Sequence, residues 1–357
     1  MKIGLARRGY SRTGGAETYL RRFAETAVAA GHEVVLYAEQ WPRAEWPWAM
    51  VQVHSRSPRQ FATALQALRP REACDFLFSL ERVATCDAYR AGDGVHAAWL
   101  ARRAEFEPFW KPWLRRFNAK HQQTLALERQ LFSESGAALV IANSQLVKND
   151  IERHFTYPAE QIAVIYNGVP PFAPPPDARA ITRRDLGLRD DQFAVLFAGS
   201  GWERKGLRFA IDAVSAVSRS ARLIVAGRGS ASRLPASHRT LFLGPQAALA
   251  RYYAAADVFI LPTLYEPFSN ACLEALAAGL PVITTRHNGF SEIITPGEEG
   301  EVIDDPRDTH ALTAALEKWA DPTLRAATRP LRERLGQRFT IEENVRQTLA
   351  LISGTRL

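Results

Sequence analysis

Short apolar runs recur along the whole chain, separated by stretches of helical periodicity. In the first half the runs at residues 3–6, 34–37, 51–54, 76–79, 139–142 and 163–166 read as strands. In the second half those at 194–198, 222–226, 241–243, 258–261 and 282–284 do so. Several are nearly continuous in apolar residues, the pattern of parallel strands covered on both faces. Ala-, Leu- and Arg-rich helical patterns lie between most of them, which predicts βαβ units and an α/β fold with parallel sheets. Pro170-Pro171-Phe172-Ala173-Pro174-Pro175-Pro176 interrupts the alternation. Prolines that dense exclude helix interior and central strand, so the stretch reads as a semi-rigid linker. It divides the chain into residues 1–170 and 171–341, each with its own set of strands. Residues 342–357 form a last helical pattern, with Val345, Leu349 and Ile352 apolar.

The length of 357 residues fits two such domains better than one core. No apolar run reaches the roughly 18–20 residues needed to span a bilayer. The opening Met1-Lys2-Ile3-Gly4-Leu5-Ala6-Arg7-Arg8 reads as a first strand and lacks the features of a signal peptide. Cys74, Cys86 and Cys272 are scattered, as reduced residues of a cytoplasmic protein are. No Cys or His spacing predicts a metal site, so none is expected. The formal net charge is +7, of which residues 1–170 carry +5 (22 Lys and Arg, 17 Asp and Glu). That balance allows a phosphorylated substrate, an anionic membrane or nucleic acid as partner.

The densest chemistry is at Glu266-Pro-Phe-Ser-Asn-Ala-Cys-Leu-Glu274, followed by Ala-Leu-Ala-Ala-Gly-Leu-Pro-Val-Ile. Glu266 falls in the turn after the strand at 258–261, and Glu274 on a helix that begins near Ser269 or Asn270. Ligands of open α/β sheets bind at that edge, and the bare amides of a helix start favour phosphate. A carboxylate there would repel phosphate and suits hydroxyl groups instead. Phosphate and hydroxyls together suggest a nucleotide sugar. Gly199-Ser200-Gly201-Trp202-Glu203-Arg204-Lys205-Gly206, after the first strand of the second domain, adds flexible backbone and two adjacent cations. Cations at a helix start oppose the dipole, which argues for an anionic partner. Gly14-Gly15-Ala16-Glu17-Thr18 opens the first helix with closely approachable backbone, and no G-x-G-x-x-G is present.

These motifs resemble the donor signatures of retaining family 4 glycosyltransferases, which have the GT-B fold of two Rossmann-like parallel-sheet domains facing a cleft. The resemblance implies that the second domain holds the donor, a UDP-hexose such as UDP-glucose, and that the first domain binds the acceptor. It implies that Arg204 and Lys205 stabilise the departing diphosphate without a metal, that Glu266 orients sugar hydroxyls and that Glu274 binds ribose. Gly15, Ser200, Gly201, Phe268, Ser269 and Asn270 would bring backbone to phosphate and sugar, and the loops carrying Arg228 and Leu243 would hold the nucleobase. Arg90-Ala91-Gly92-Asp93-Gly94-Val95-His96 contains an Ala-Gly-Asp that lipopolysaccharide-core glucosyltransferases share. That places Asp93 at the reaction centre, with His96 as the alternative. The last helix of this fold returns to the first domain, a position open to residues 342–357.

Residues 99–120 interleave Phe106, Phe109, Trp110, Trp113 and Phe117 with Arg102, Arg103, Lys111, Arg115, Arg116 and Lys120. Rings and cations in that mixture suit an anionic membrane surface, with Trp110, Trp113, Arg115 and Arg116 as its contacts. A helical hairpin packed on the core is the other reading, and stacking on nucleic acid is not expected. The sequence thus predicts a peripheral, cytoplasmic-face enzyme that moves a hexose to a lipopolysaccharide-core or other cell-envelope glycan or glycolipid. A nucleotide-sugar epimerase would need an acid–base set that cannot be assembled here. A non-catalytic membrane-bound relative should have lost the acidic or the basic pair, and both are present.

Overall fold

The computed structural model describes residues 1–10, 15–115, 117–217, 220–231 and 234–354. They form two compact units, residues 1–166 with 341–357 and residues 167–340.

The first unit is built on seven strands: β1 (Lys2–Ala6), β2 (Glu33–Ala38), β3 (Ala49–Gln52), β4 (Phe76–Ser79), β5 (Cys86–Ala91), β6 (Ala137–Ala142) and β7 (Ile162–Val164). All neighbours are parallel, in the order β3-β2-β1-β4-β5-β6-β7. The order reverses between β1 and β4. One face is covered by the helix Gly15–Ala29, which buries Leu20 and Phe23, and by the last helix, Ile341–Gly354, which buries Ile341, Val345 and Ile352 in the same core. Tyr19 Oη donates to Thr348 Oγ1 between these two helices at 3.2 Å.

The sequence pattern anticipated six of these strands, with β3 and β7 displaced by one or two residues. It did not reveal β5, Cys-Asp-Ala-Tyr-Arg-Ala, because two ionisable residues break the apolar run. Both are accommodated in the interior. Asp87 accepts the Leu77 amide at 2.7 Å and pairs with Arg71, while the Arg90 guanidinium lies 3.7 Å above the Tyr19 ring. A cation over an aromatic face keeps favourable electrostatics without water.

The second unit holds six strands: β8 (Phe193–Ala198), β9 (Ala221–Ala226), β10 (Thr240–Gly244), β11 (Val258–Leu261), β12 (Val282–Thr285) and β13 (Gly300–Ile303). They are parallel in the order β10-β9-β8-β11-β12-β13, with the reversal between β8 and β11. β13 also escaped the sequence pattern. Its first residue is Gly300, where a Cβ would stand 1.9 Å from the Val282 carbonyl oxygen. No helix among the described residues is long and apolar enough to cross a membrane.

Candidate active site

The reversal between β8 and β11 brings two loops together at the carboxyl ends of the strands, the usual ligand-binding place in an open sheet. After β8 the chain turns at Gly199, whose φ of +147° an L side chain rarely adopts, and a Cβ there would lie 2.6 Å from Lys205 Cδ. The Lys205 side chain therefore lies directly across this glycine. Gly206 (φ +73°) starts the helix Leu207–Ala216 and leaves no room for a Cβ against the Pro262 carbonyl oxygen. The loop after β11 is tied to the same segment: Thr263 Oγ1 and the Leu264 amide both donate to the Arg204 carbonyl at 2.8 Å.

Three charged side chains converge there. Lys205 Nζ donates to Glu266 Oε2 at 2.8 Å, and Arg204 Nη1 donates to the same oxygen and to the Tyr265 carbonyl at 3.0 Å each. Burial acts to raise the Glu266 pKa, but the Lys205 and Arg204 charges outweigh it and hold the carboxyl below the usual range. Two cations against one carboxylate leave the group positive. Among the described residues Glu266 Oε1 accepts no hydrogen bond, and Arg204 Nη2 donates none. The cluster thus presents both an acceptor and cationic donors. The backbone of Glu266 is fixed on both sides, its amide to the His287 carbonyl and its carbonyl to the Gly289 amide.

The helix Asn270–Ala277 starts beside Glu266. Ser269 Oγ accepts the Cys272 amide at 3.2 Å as N-cap, and the Ser269 amide is itself bound to Asn288 Oδ1 at 3.2 Å. Both polar groups of Ser269 are occupied within the protein, and Phe268 is buried edge-on to Phe290. The backbone donors at the helix start are the Asn270 and Ala271 amides. The Asn270 side chain accepts from Asn167 Nδ2 at 2.8 Å. Asn288, absent from the sequence reading, organises this corner. Fully buried, it accepts the Ser269 and Phe290 amides and donates to Thr284 Oγ1 at 3.0 Å. Glu274 lies one turn into the helix. Burial raises its pKa, and the buried Tyr253 hydroxyl donates to its Oε2 at 2.8 Å. Only the Tyr252-Tyr253 pair ahead of β11 offered a sequence signal for this partner.

Ser200, Gly201 and Arg228 join the β8 and β9 loops. The Arg228 amide donates to Ser200 Oγ at 3.3 Å, and the Gly201 amide to the Arg228 carbonyl at 2.9 Å. Trp202, between them, packs against Phe242 with ring centroids 5.4 Å apart and the planes tilted by 44°. A Cβ at Gly229 would fall 2.4 Å from the Trp202 ring, so the glycine makes this packing possible. The Leu243 carbonyl accepts from Gln246 Nε2 at 2.8 Å.

In the first unit Gly15 opens the helix Gly15–Ala29, and Gly14 lies outside the described residues. Arg7 follows β1 and contacts Glu81 (3.1 Å), which follows β4, as well as Glu17 (3.4 Å). Asp93, exposed in the turn after β5, adds its charge to this group: it helps keep Arg7 protonated and reinforces the effect of burial in raising the Glu81 pKa. His96 is tied into structure. Its ring stacks on His121, with Nε2 3.0 Å from Nδ1, and its amide donates to the fully buried Glu128. Burial, then the neighbouring Arg82, His121 and Lys120, push its pKa down to about 4. Among the described residues no cluster of His, Cys, Asp and Glu could hold a metal ion.

The described part of residues 99–120 includes the end of the helix His96–Ala104, a turn, the short helix Lys111–Arg115 and the start of the helix Ala119–Leu131. Phe109 (93% exposed), Trp110, Trp113, Leu114 and Phe117 (73%) turn outwards. Arg115 corrects the sequence expectation: its guanidinium pairs with Glu107 and donates to the Leu100 carbonyl, so it braces the segment. Arg103 pairs with the same Glu107 at 3.0 Å. Arg116 lies outside the described residues.

The family described as glycosyl transferases group 1 matches residues 192–321, and glycosyltransferase family 4 matches residues 13–171. Both matches are to glycosyltransferases, and with the two parallel-sheet units they support a GT-B glycosyltransferase. It is 26% identical over 333 residues to the lipopolysaccharide glucosyltransferase WaaG of Escherichia coli K12, covering 85% of this chain and 86% of that protein. A crystal structure of WaaG, a glycosyltransferase involved in lipopolysaccharide biosynthesis, superposes with a TM-score of 0.83 over 99% of this chain and all of that one, at 23% identity. Anabaena HepE in complex with UDP and glucose gives a TM-score of 0.75 over 99% and 100% of the two chains, at 20% identity. These likenesses establish the fold of the glycosyltransferase, and its resemblance to lipopolysaccharide-core glucosyltransferases rests on the sequence match.

Proposed function

We propose that this glycosyltransferase transfers a hexose with retention from a UDP-sugar, UDP-glucose or a close relative, to a lipopolysaccharide-core or other cell-envelope glycan. The convergence of Arg204 and Lys205 on Glu266 beside the helix start at Asn270 carries the reading. Breaking the anomeric C–O bond places negative charge on the nucleoside diphosphate. Preorganised cations and helix amides aimed at that charge lower the barrier. Because Arg204 and Lys205 supply the charge, the reaction proceeds without a metal. The acceptor oxygen forms its bond on the face from which the diphosphate departs, and its proton passes to the departing phosphate oxygen. Glu266 Oε1 accepts from the sugar hydroxyls, Glu274 from the ribose, and Asp93 acts beside the acceptor hydroxyl.

Two relatives support this choice of donor and acceptor: WaaG is a lipopolysaccharide glucosyltransferase, and HepE is held with UDP and glucose. The outward rings from Phe109 to Phe117 suit a membrane-linked acceptor, since aromatic rings settle at the boundary between headgroups and acyl chains. Incubation with radiolabelled UDP-sugars tests the proposal. Release or transfer of labelled hexose in the presence of EDTA supports it. Conversion to an epimer would identify the alternative enzyme, and inertness towards every nucleotide sugar would remove the assignment.

A further inference from the structure

Two adjoining cavities open at the carboxyl ends of β1, β2 and β3 in the first unit. The larger, of about 760 Å³, runs between the β2 and β3 ends and the helix Pro58–Ala67; its lining includes His54, Ser55, Arg56, Arg59 and Gln60. The smaller, of about 520 Å³, is bounded by Arg8, Tyr10 and Trp41 and shares Glu39 and Gln40 with the first. Arg56 and Arg59 are exposed, and among the described residues neither guanidinium makes an ion pair or a hydrogen bond. They flank the start of a helix capped by Ser57, where the dipole disfavours cations and favours anions. Two of the lining residues, Ser55 and Trp41, each carry a buried polar side-chain atom, Oγ and Nε1, with no hydrogen-bond partner among the described residues. The one carboxylate of the shared wall, Glu39, is held by Arg8 at 3.4 Å.

The two halves differ in chemistry. The larger is cationic and rich in amides, whereas the smaller offers the edge-to-face pair Tyr10 and Trp41, 5.0 Å apart, a platform for a sugar ring. We propose that these cavities bind the acceptor glycan through an anionic substituent, a phosphate monoester or a uronate carboxylate, gripped by Arg56 and Arg59. This rests on the glycan acceptor proposed above and adds its charge. Guanidinium forks match both oxyanions, and the partnerless pair avoids the cost of breaking an internal ion pair.

The test is ligand-observed NMR on the full chain with glucose 6-phosphate, glucuronate and glucose. At least one anionic sugar should bind roughly tenfold more tightly than glucose, the size expected for a charge-assisted hydrogen bond. Arg56→Gln with Arg59→Gln should reduce that affinity to the level of glucose, and the paired Lys substitutions should restore part of it. Melting temperature checks that the variants stay folded. Equal binding by wild type and the Gln variant, no binding of any anionic sugar, or displacement of the anionic sugar by UDP would overturn the proposal. Cosedimentation with phosphatidylglycerol vesicles separates a lipid source. If the Gln variant loses vesicle binding but keeps the sugar phosphate, the arginines serve a headgroup and the proposal fails. A UDP titration of the wild type reports the donor reading separately, since arginine-dependent binding of an anionic sugar without UDP binding would remove that reading and leave this one.

Discussion

Lys205 Nζ lies 2.8 Å from Glu266 Oε2, with the Lys205 stem crossing the bare α-carbon of Gly199. The side chain is held at both ends, so its charge is positioned before any ligand arrives. Lys205→Ala should slow transfer by about 10²–10³-fold, the loss seen when one donor to a developing negative charge is removed. Gly199→Ala should reproduce part of that loss, because its Cβ would displace the lysine stem. Steady-state kinetics on both variants check it, and unchanged turnover in Lys205→Ala would separate the cluster from chemistry.

The same pair makes stability depend on pH. The folded Glu266 pKa is lowered below the ordinary glutamate value of about 4.3, so the unfolded chain binds its proton first. The stabilisation is therefore present above that pH and is lost as pH falls through the folded pKa. Wild type should melt well above Glu266→Gln at pH 7, and the gap should close below about pH 4. Thermal melts across that range measure it; a constant gap would contradict the sign.

Asn288 should behave as a positioning residue. Asn288→Ala leaves the buried Ser269 and Phe290 amides without their acceptor, at a cost of roughly 1–3 kcal/mol for each. It also loosens the start of the helix that carries Glu274. The variant should melt lower and show a raised KM for the nucleotide sugar. Tyr253→Phe, which removes the donor to Glu274, should raise the same KM with a smaller effect on kcat.

Much of the charged cluster was legible in the sequence because its parts are local: the glycines, Arg204 and Lys205 occupy one loop, and Glu266 to Glu274 one turn and helix. What connects these segments was not legible. Asn288 reaches Ser269 across 19 residues, Tyr253 reaches Glu274 across 21 and Arg82 reaches Glu128 across 46, through the arrangement of the sheets. β5 stayed hidden because Asp87 and Arg90 look unsuited to an interior until their partners are seen. Arg115 misled for the same reason, since its pairing with Glu107 follows from the way two short helices fold back.

That correction changes what the exposed rings predict. Trp110→Ser with Phe117→Ser should weaken binding to anionic vesicles in a way that salt does not mimic, because the contribution is apolar. Arg115→Ser should instead lower the melting temperature by releasing Glu107 and the Leu100 carbonyl. Cosedimentation and melting curves distinguish the two, and equal partitioning of wild type and the double Ser variant would mark the rings as unconnected with lipid.

The most direct measurement follows the anomeric configuration of the product. With UDP-glucose as donor and a cell-envelope glycan as acceptor, in the presence of EDTA, proton NMR of the new glycosidic linkage should show the α configuration of the donor preserved. The same reaction with Glu266→Ala or Lys205→Ala should yield little product. Inverted product, strict dependence on added Mg²⁺ or Mn²⁺, or full activity in both variants would contradict a retaining transfer driven by Arg204, Lys205 and Glu266.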